Sequence, residues 1–94
     1  MAVGMEDVKR ELNITWSDAH TDRRVEEVLK RAQSVINRAA GREIDLESHD
    51  FARQLLFDCC RYMYSDAFAQ FKIDYADELL SLRLEGQEDV QTES

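Results

Sequence analysis

Proline is absent from the 94-residue sequence, and glycine occurs only three times, at Gly4, Gly41 and Gly86. Few backbone breakers therefore interrupt the chain, which favours long helices. The sequence also lacks an apolar run of the roughly 18 residues that a transmembrane helix needs. Its N-terminus has neither the basic start nor the apolar stretch of a signal peptide, so we expect the protein to stay in the cytoplasm.

Cysteine is scarce, since only Cys59 and Cys60 are present and they are adjacent. Neighbouring thiols cannot close a long loop, so a disulfide between them would add little stability. On a helix they would point about 100° apart, which argues against a zinc ion shared with His20 and His49. No glycine-rich phosphate loop, activated nucleophile or metal motif is recognisable, so we predict a non-enzymatic protein without metal or cofactor.

Cations are outnumbered, and the formal net charge is −8. Residues 1–47 hold 8 cations and 10 anions, whereas residues 48–94 hold 4 cations and 10 anions. Because phosphate binding depends on Lys and Arg, this balance argues against a nucleic-acid-binding protein. The acidic surface favours solubility and is also compatible with a surface that repels DNA.

The hydrophobic periodicity predicts an all-α fold: a small bundle of three to four helices with a long second helix and a long central third helix. A short first helix covers residues 5–12, and Trp16 in the following polar loop is expected to pin that loop onto the core. Thr21 or Asp22 caps the second helix, whose aliphatic residues recur at helical spacing. Gly41 supplies the left-handed residue that often ends a helix.

The third helix is predicted to start at Ser48 or Asp50 and is apolar on more than one side. This pattern is typical of a helix flanked by other helices or by neighbouring subunits. The sequence does not decide whether the chain bends or breaks at residues 72–74, and a last helix follows. Residues 1–84 thus form a single helical domain, and the acidic tail, residues 85–94, is expected to be disordered on its own.

The most informative segment is residues 62–84, which holds five of the eight aromatic residues. Tyr64, Phe68, Phe71 and Tyr75 recur at steps of four, three and four, which places them on one side of a helix. Aromatic residues at this spacing usually belong to a core. Together with the leucines of the last helix, however, the set is too large for one small core. The surplus indicates a surface that another protein covers.

The order of these features resembles the small helical head–tail connector (adaptor) proteins of tailed bacteriophages and prophages. The resemblance covers roughly residues 5–84. In the first half it rests on Val8, Leu12, Asp22, Val25, Leu29, Ala32, Ile36, Gly41 and Arg42. In the second half it rests on Ala52, Leu55, Leu56, Arg61, Tyr62, Tyr64, Phe71, Tyr75, Glu78, Leu79 and Leu82.

The resemblance implies a structural protein that forms a ring, usually of about twelve subunits, beneath the portal at the phage head vertex. Such a ring extends the DNA channel, receives the next connector or stopper protein, and lets DNA pass without specific binding. The protein would assemble in the host cytoplasm and then reside in the virion, at the head–tail junction. Two alternatives stay open: a generic bacterial helical protein-interaction adaptor, and a DNA-packaging accessory protein.

We predict that the last helix and the residues before it dock on the portal or on a neighbouring subunit. The predicted interface residues are Phe68, Phe71, Tyr75, Leu79, Leu80, Leu82 and Leu84. Asp74, Asp77 and Glu78 are candidates to face the channel. A chain cut after Asp74 is expected to remain a folded bundle that no longer joins the portal.

Overall fold

A computed structural model describes the backbone of residues 3–93 and the side chains of residues 3–85. The helices are α1 (Met5–Glu11), α2 (Ala19–Ala40), α3 (Asp50–Tyr64), α4 (Phe68–Asp74) and α5 (Ala76–Glu93). No β-strand occurs within residues 3–93, and the all-α prediction is confirmed. The helix count is five rather than three to four, because the chain after α3 forms two helices instead of continuing the third one.

Side chains cap the starts of α2 and α3. Asp18 Oδ1 accepts a hydrogen bond of 2.8 Å from the Thr21 amide at the start of α2. At the start of α3, the ring Nδ1 of His49 accepts one of 3.2 Å from the Ala52 amide. Both predicted caps are wrong: Asp18 stands three residues before Thr21, and His49 stands between Ser48 and Asp50. Several side chains able to cap stand close together at each start, so the sequence does not single one out.

Three helix ends share one backbone motif. A residue with a left-handed φ follows α1, α2 and α3, namely Asn13 at 60°, Gly41 at 75° and Asp66 at 57°. In each case the next amide donates to the carbonyl five residues back, which satisfies a carbonyl at the helix end. Gly41 was predicted, since glycine adopts this conformation without strain. Asp66 was not predicted, and the turn that it makes ends α3 and separates α4 from it.

Helix α3 is covered on more than one side. It packs against α1, α2 and α4. Its buried residues are Ala52, Leu55, Leu56, Phe57, Asp58, Cys59, Cys60 and Met63. The neighbouring thiols Cys59 and Cys60 are both fully buried, which requires that the helix be covered on more than one side.

Polar contacts hold the neighbouring helices in place around α2. The Lys9 ammonium lies 2.9 Å from Asp22 Oδ1 and is itself almost fully buried. This hydrogen bond raises the pKa of Lys9. Arg24 donates a bond of 2.7 Å to the Tyr64 carbonyl, and its guanidinium lies 4.9 Å from the centroid of the Tyr64 ring. The first contact fixes α1 on α2, and the second fixes the end of α3, from which α4 departs.

Helix α5 packs along α2, and its backbone continues to Glu93, beyond the predicted end of the last helix at residue 84. The side chains of residues 86–94, which make up most of the predicted acidic tail, lie outside the described residues. The disorder expected for residues 85–94 of the unbound chain stays a prediction, as does the boundary of the domain at residue 84.

Candidate interaction surface on α4 and α5

The spacing of Tyr64, Phe68, Phe71 and Tyr75 predicted that these aromatic residues lie on one continuous helix. In the structure they do not. The turn at Asp66 removes Tyr64 from the series. Phe68, Phe71 and Tyr75 then stack on one another, with centroid distances of 6.2 Å and 4.7 Å. Tyr62 of α3 meets Phe71 edge-on at 5.6 Å. These rings form an internal cluster that joins α4 to α3, because aromatic pairs in such geometry stabilise packing.

The seven predicted interface residues divide into three groups by burial. Phe71 and Leu82 have no exposed surface and belong to the core. Phe68, Tyr75 and Leu79 are partly buried and pack against that core. Leu80 and Leu84 are 56% and 46% exposed. Most of the predicted interface therefore serves the fold of the chain itself, and two of its leucines face solvent.

A third large aliphatic residue on this segment is more exposed than either leucine. Ile73 of α4 is 70% exposed. It is not among the predicted interface residues, because the possible break at residues 72–74 obscures its helical spacing in the sequence. Leu80 and Leu84 stand four residues apart on one side of α5, and Ile73 lies on α4, just before the break at Tyr75. We call these three residues the outer stripe.

The outer stripe lies opposite the buried residues of the same segment. Phe71, Tyr75, Leu79 and Leu82 recur at steps of four, four and three and form the inward side. Tyr75 separates α4 from α5, yet its amide donates to the Phe71 carbonyl at 2.9 Å and its carbonyl accepts from the Leu79 amide at 2.9 Å. These are the last hydrogen bond of α4 and the first of α5, so the two helices meet at Tyr75. The segment is thus apolar on two sides, and one side is covered.

The three candidate channel residues differ in their surroundings. Asp74 is exposed but held in place, since it accepts hydrogen bonds from the Tyr62 hydroxyl at 2.9 Å and from the Gln70 amide at 2.7 Å. The bond to Asp74 raises the pKa of Tyr62. Asp77 is exposed and Glu78 is half-buried. A role for any of them in a channel stays a prediction, and Asp74 has a structural role in linking α4 to α3.

Trp16 behaves differently from the prediction. Instead of pinning its loop onto the core, the indole is 52% exposed and donates a hydrogen bond of 3.2 Å to Thr21 Oγ1. Ile14 is the buried residue that anchors this loop. The sequence signal was ambiguous because Ile14 and Trp16 stand two residues apart in an otherwise polar connection.

The chemistry of the other reactive side chains is limited by burial. Burial raises the pKa of the Cys59 and Cys60 thiols to about 12, so neither is a thiolate near neutral pH. Within the described part of the chain, no group of three or more His, Cys, Asp and Glu side chains is arranged to hold a metal ion. Among the same residues, no helix is both long and apolar enough to cross a bilayer.

Similarity to known proteins was sought among protein-family models, curated proteins and solved structures. None of the three comparisons finds a match. The function of the chain is therefore inferred from its sequence pattern and from the geometry of the α4–α5 segment.

Proposed function

We propose that this protein is a structural, non-enzymatic subunit of a phage or prophage head–tail connector. In this proposal, copies of the chain form a ring of about twelve subunits below the portal. The ring extends the DNA channel and joins the head to a downstream connector or stopper protein. Assembly takes place in the host cytoplasm, and the ring then stays at the head–tail junction of the virion.

The observation that carries the proposal is the outer stripe. Phe71 and Leu82 of this segment are fully buried in the core. Ile73, Leu80 and Leu84 are exposed and add nothing to that core. Aliphatic side chains grouped in this way mark surfaces that bind other proteins. The sequence resemblance supplies the kind of partner, namely the portal or a neighbouring subunit.

The acidic character of the chain agrees with the proposed channel. A formal net charge of −8 disfavours tight contacts with DNA phosphates, because such contacts need clustered cations. DNA that moves through a ring of this protein would meet a repelling surface rather than a binding one. Salt-sensitive binding of duplex DNA in a gel-shift assay would instead favour the packaging accessory protein.

Cutting the chain after Asp74 is not a clean test of this proposal. Leu82 is fully buried, and α5 packs along α2. Removal of α5 therefore opens the core, and loss of portal binding would report unfolding. Point substitutions in the outer stripe avoid this problem, because these side chains face solvent.

The test is co-assembly with the cognate portal that the proposal requires. Wild-type protein and the double variant Leu80→Asp, Leu84→Asp are each mixed with purified portal and examined by size-exclusion chromatography and negative-stain electron microscopy. We expect the wild type to add a ring of density below the portal and the double variant to stay unbound. Ser81→Asp is the matched control, since Ser81 is exposed between the two leucines and should leave binding intact. Equal binding by all three proteins would overturn the proposed interface.

A further inference from the structure

A groove lies between α2 and the corner at which α3 gives way to α4. Its volume is about 250 Å³, and the residues that line it are Arg31, Ser34, Val35, Arg38, Met63 and Phe68. The two arginines and Ser34 are exposed, whereas Val35, Met63 and Phe68 form an apolar floor. Because residues 31, 34, 35 and 38 follow one side of a helix, the arginines stand two turns apart along the groove. We call this site the α2 groove.

The α2 groove has the size and the chemistry of a site for an aromatic side chain. A cavity of about 150 Å³ can hold benzene, so a volume of about 250 Å³ has room for a larger ring. Methionine sulfur and a second aromatic ring are favourable neighbours for such a side chain, and the floor offers both in Met63 and Phe68. A guanidinium beside the ring adds a cation–π attraction, which is strongest for tryptophan.

The chain itself exposes such a side chain. Trp16 is its single tryptophan, and the indole is 52% exposed on the loop between α1 and α2. Residues 15–18 carry one carboxylate, Asp18, and no Lys or Arg, so their charge is opposite to that of the arginines in the groove. Exposed tryptophans are also among the residues that contribute most to protein interfaces. We infer that Trp16 of one copy of the chain occupies the α2 groove of a second copy.

Trp16 is held away from the groove of its own chain. Its indole nitrogen donates a hydrogen bond of 3.2 Å to Thr21 Oγ1, at the start of α2. Arg31 lies ten residues further along that helix, which corresponds to about 15 Å. The loop is fixed on both sides of Trp16, by the buried Ile14 and by Asp18, which caps α2. The groove of each copy is therefore left for the Trp16 of another copy.

This contact is heterologous, because Trp16 and the α2 groove are different surfaces of the molecule. A heterologous contact repeated around an axis closes into a ring when the rotation between neighbours allows it. The inference rests on the proposed function for the idea of a ring. One indole in a groove buries less surface than a stable complex needs. Copies thus associate weakly in solution, and a portal that gathers them through the outer stripe strengthens the contact.

The first experiment follows the fluorescence of Trp16, which is the only tryptophan of the chain. Between about 1 µM and about 1 mM protein, we expect the emission maximum to move to shorter wavelength as the indole leaves water. Ser34→Glu should weaken this association at least about tenfold, because the new carboxylate crowds the groove and pairs with Arg38 four residues later. Circular dichroism checks that each variant is folded.

Ser81→Glu is the matched control, since it makes the same change at an exposed serine of α5. It should alter the association less than about twofold. An emission maximum of the wild type that stays constant over this concentration range would overturn the inference. Equal weakening by the two serine variants would overturn it as well.

The second experiment tests whether the indole and the groove come from different copies. Trp16→Ala protein keeps an intact groove and has no tryptophan, whereas Ser34→Glu protein keeps Trp16 and has a blocked groove. Excess Trp16→Ala protein should therefore move the emission of the Ser34→Glu protein to shorter wavelength. The double variant Trp16→Ala, Ser34→Glu, added in the same excess, is the control and should leave the emission unchanged. Equal shifts with both additions would overturn the inference.

The outcomes separate this inference from the proposed function. Wild-type and Trp16→Ala proteins that build equal rings on the portal would overturn the Trp16 contact and keep the connector function. A shift of the Trp16 emission with concentration, in a protein that builds no ring on the portal, would keep the contact and contradict the connector function.

Discussion

The α2–α3 pair and the α4–α5 segment differ in how far their large aliphatic residues are buried. Between α2 and α3 the large aliphatic side chains meet in the core, among them Val25, Leu29, Ile36 and Leu56. The α4–α5 segment buries one apolar side and leaves Ile73, Leu80 and Leu84 in solvent. A region that satisfies its own apolar surface is explained by folding, whereas a region with a second apolar side needs a partner. Burial thus assigns stability chiefly to the first region and to the inner side of α4–α5, and in the proposed connector the outer side is the surface that binds the portal.

The largest change in the free energy of unfolding is expected for a substitution on the buried side of the α4–α5 segment. Phe71→Ala should lower the free energy of unfolding by about 3–5 kcal/mol, because it removes a fully buried ring and leaves a cavity. Ile73→Ala, two residues away on the outer stripe, should change it by less than about 0.5 kcal/mol. Urea denaturation followed by circular dichroism measures both. If Ile73→Ala is as destabilising as Phe71→Ala, the division into an inner and an outer side is wrong.

A smaller effect is expected at the end of α2. Gly41 has a φ of 75°, and a Cβ built there meets no atom within 4 Å, so only backbone strain opposes a side chain. Gly41→Ala should therefore cost about 1–2 kcal/mol of stability. It should leave portal binding unchanged at temperatures where the protein is folded. Thermal unfolding and the portal assay together check this, and loss of binding by the folded variant would show that the α2–α3 region also takes part in assembly.

The smallest effect concerns acid stability at the start of α2. Hydrogen bonds from the Thr21 amide and hydroxyl lower the pKa of Asp18 below its ordinary value of 3.8. A carboxyl group with a lowered folded-state pKa stabilises the fold above its unfolded pKa and loses that contribution as the pH falls through the folded-state pKa. Asp18→Asn should therefore flatten the dependence of stability on pH below about 4. Denaturation at pH 7 and at successively lower pH compares the two proteins, and parallel curves would contradict the assignment.

The elements that could be predicted from the sequence are those whose signals are local. The aliphatic spacing of α2 and the glycine at residue 41 indicate that helix and its end without reference to the rest of the fold. The crowded apolar sides of α3 likewise identify a central helix. Asp66 could not be recognised as a helix end from its residue type, because aspartate adopts a left-handed φ only occasionally and far less readily than glycine.

The candidate surface was predicted in part. The sequence placed an excess of apolar residues on the last third of the chain, and Leu80 and Leu84 are indeed exposed. It could not assign Leu82 to the core and Ile73 to solvent, because that division depends on which side of α5 packs along α2 and which side of α4 packs on α3.

Native mass spectrometry of the purified chain over a concentration series tests the central claim most directly, with the Leu80→Asp, Leu84→Asp variant measured beside it. Our account predicts closed assemblies of about a dozen subunits, formed alone or once cognate portal is added, and their loss in the variant. A discrete dimer at every concentration, unchanged by the variant and by the portal, would contradict the connector function and favour a dimeric helical adaptor.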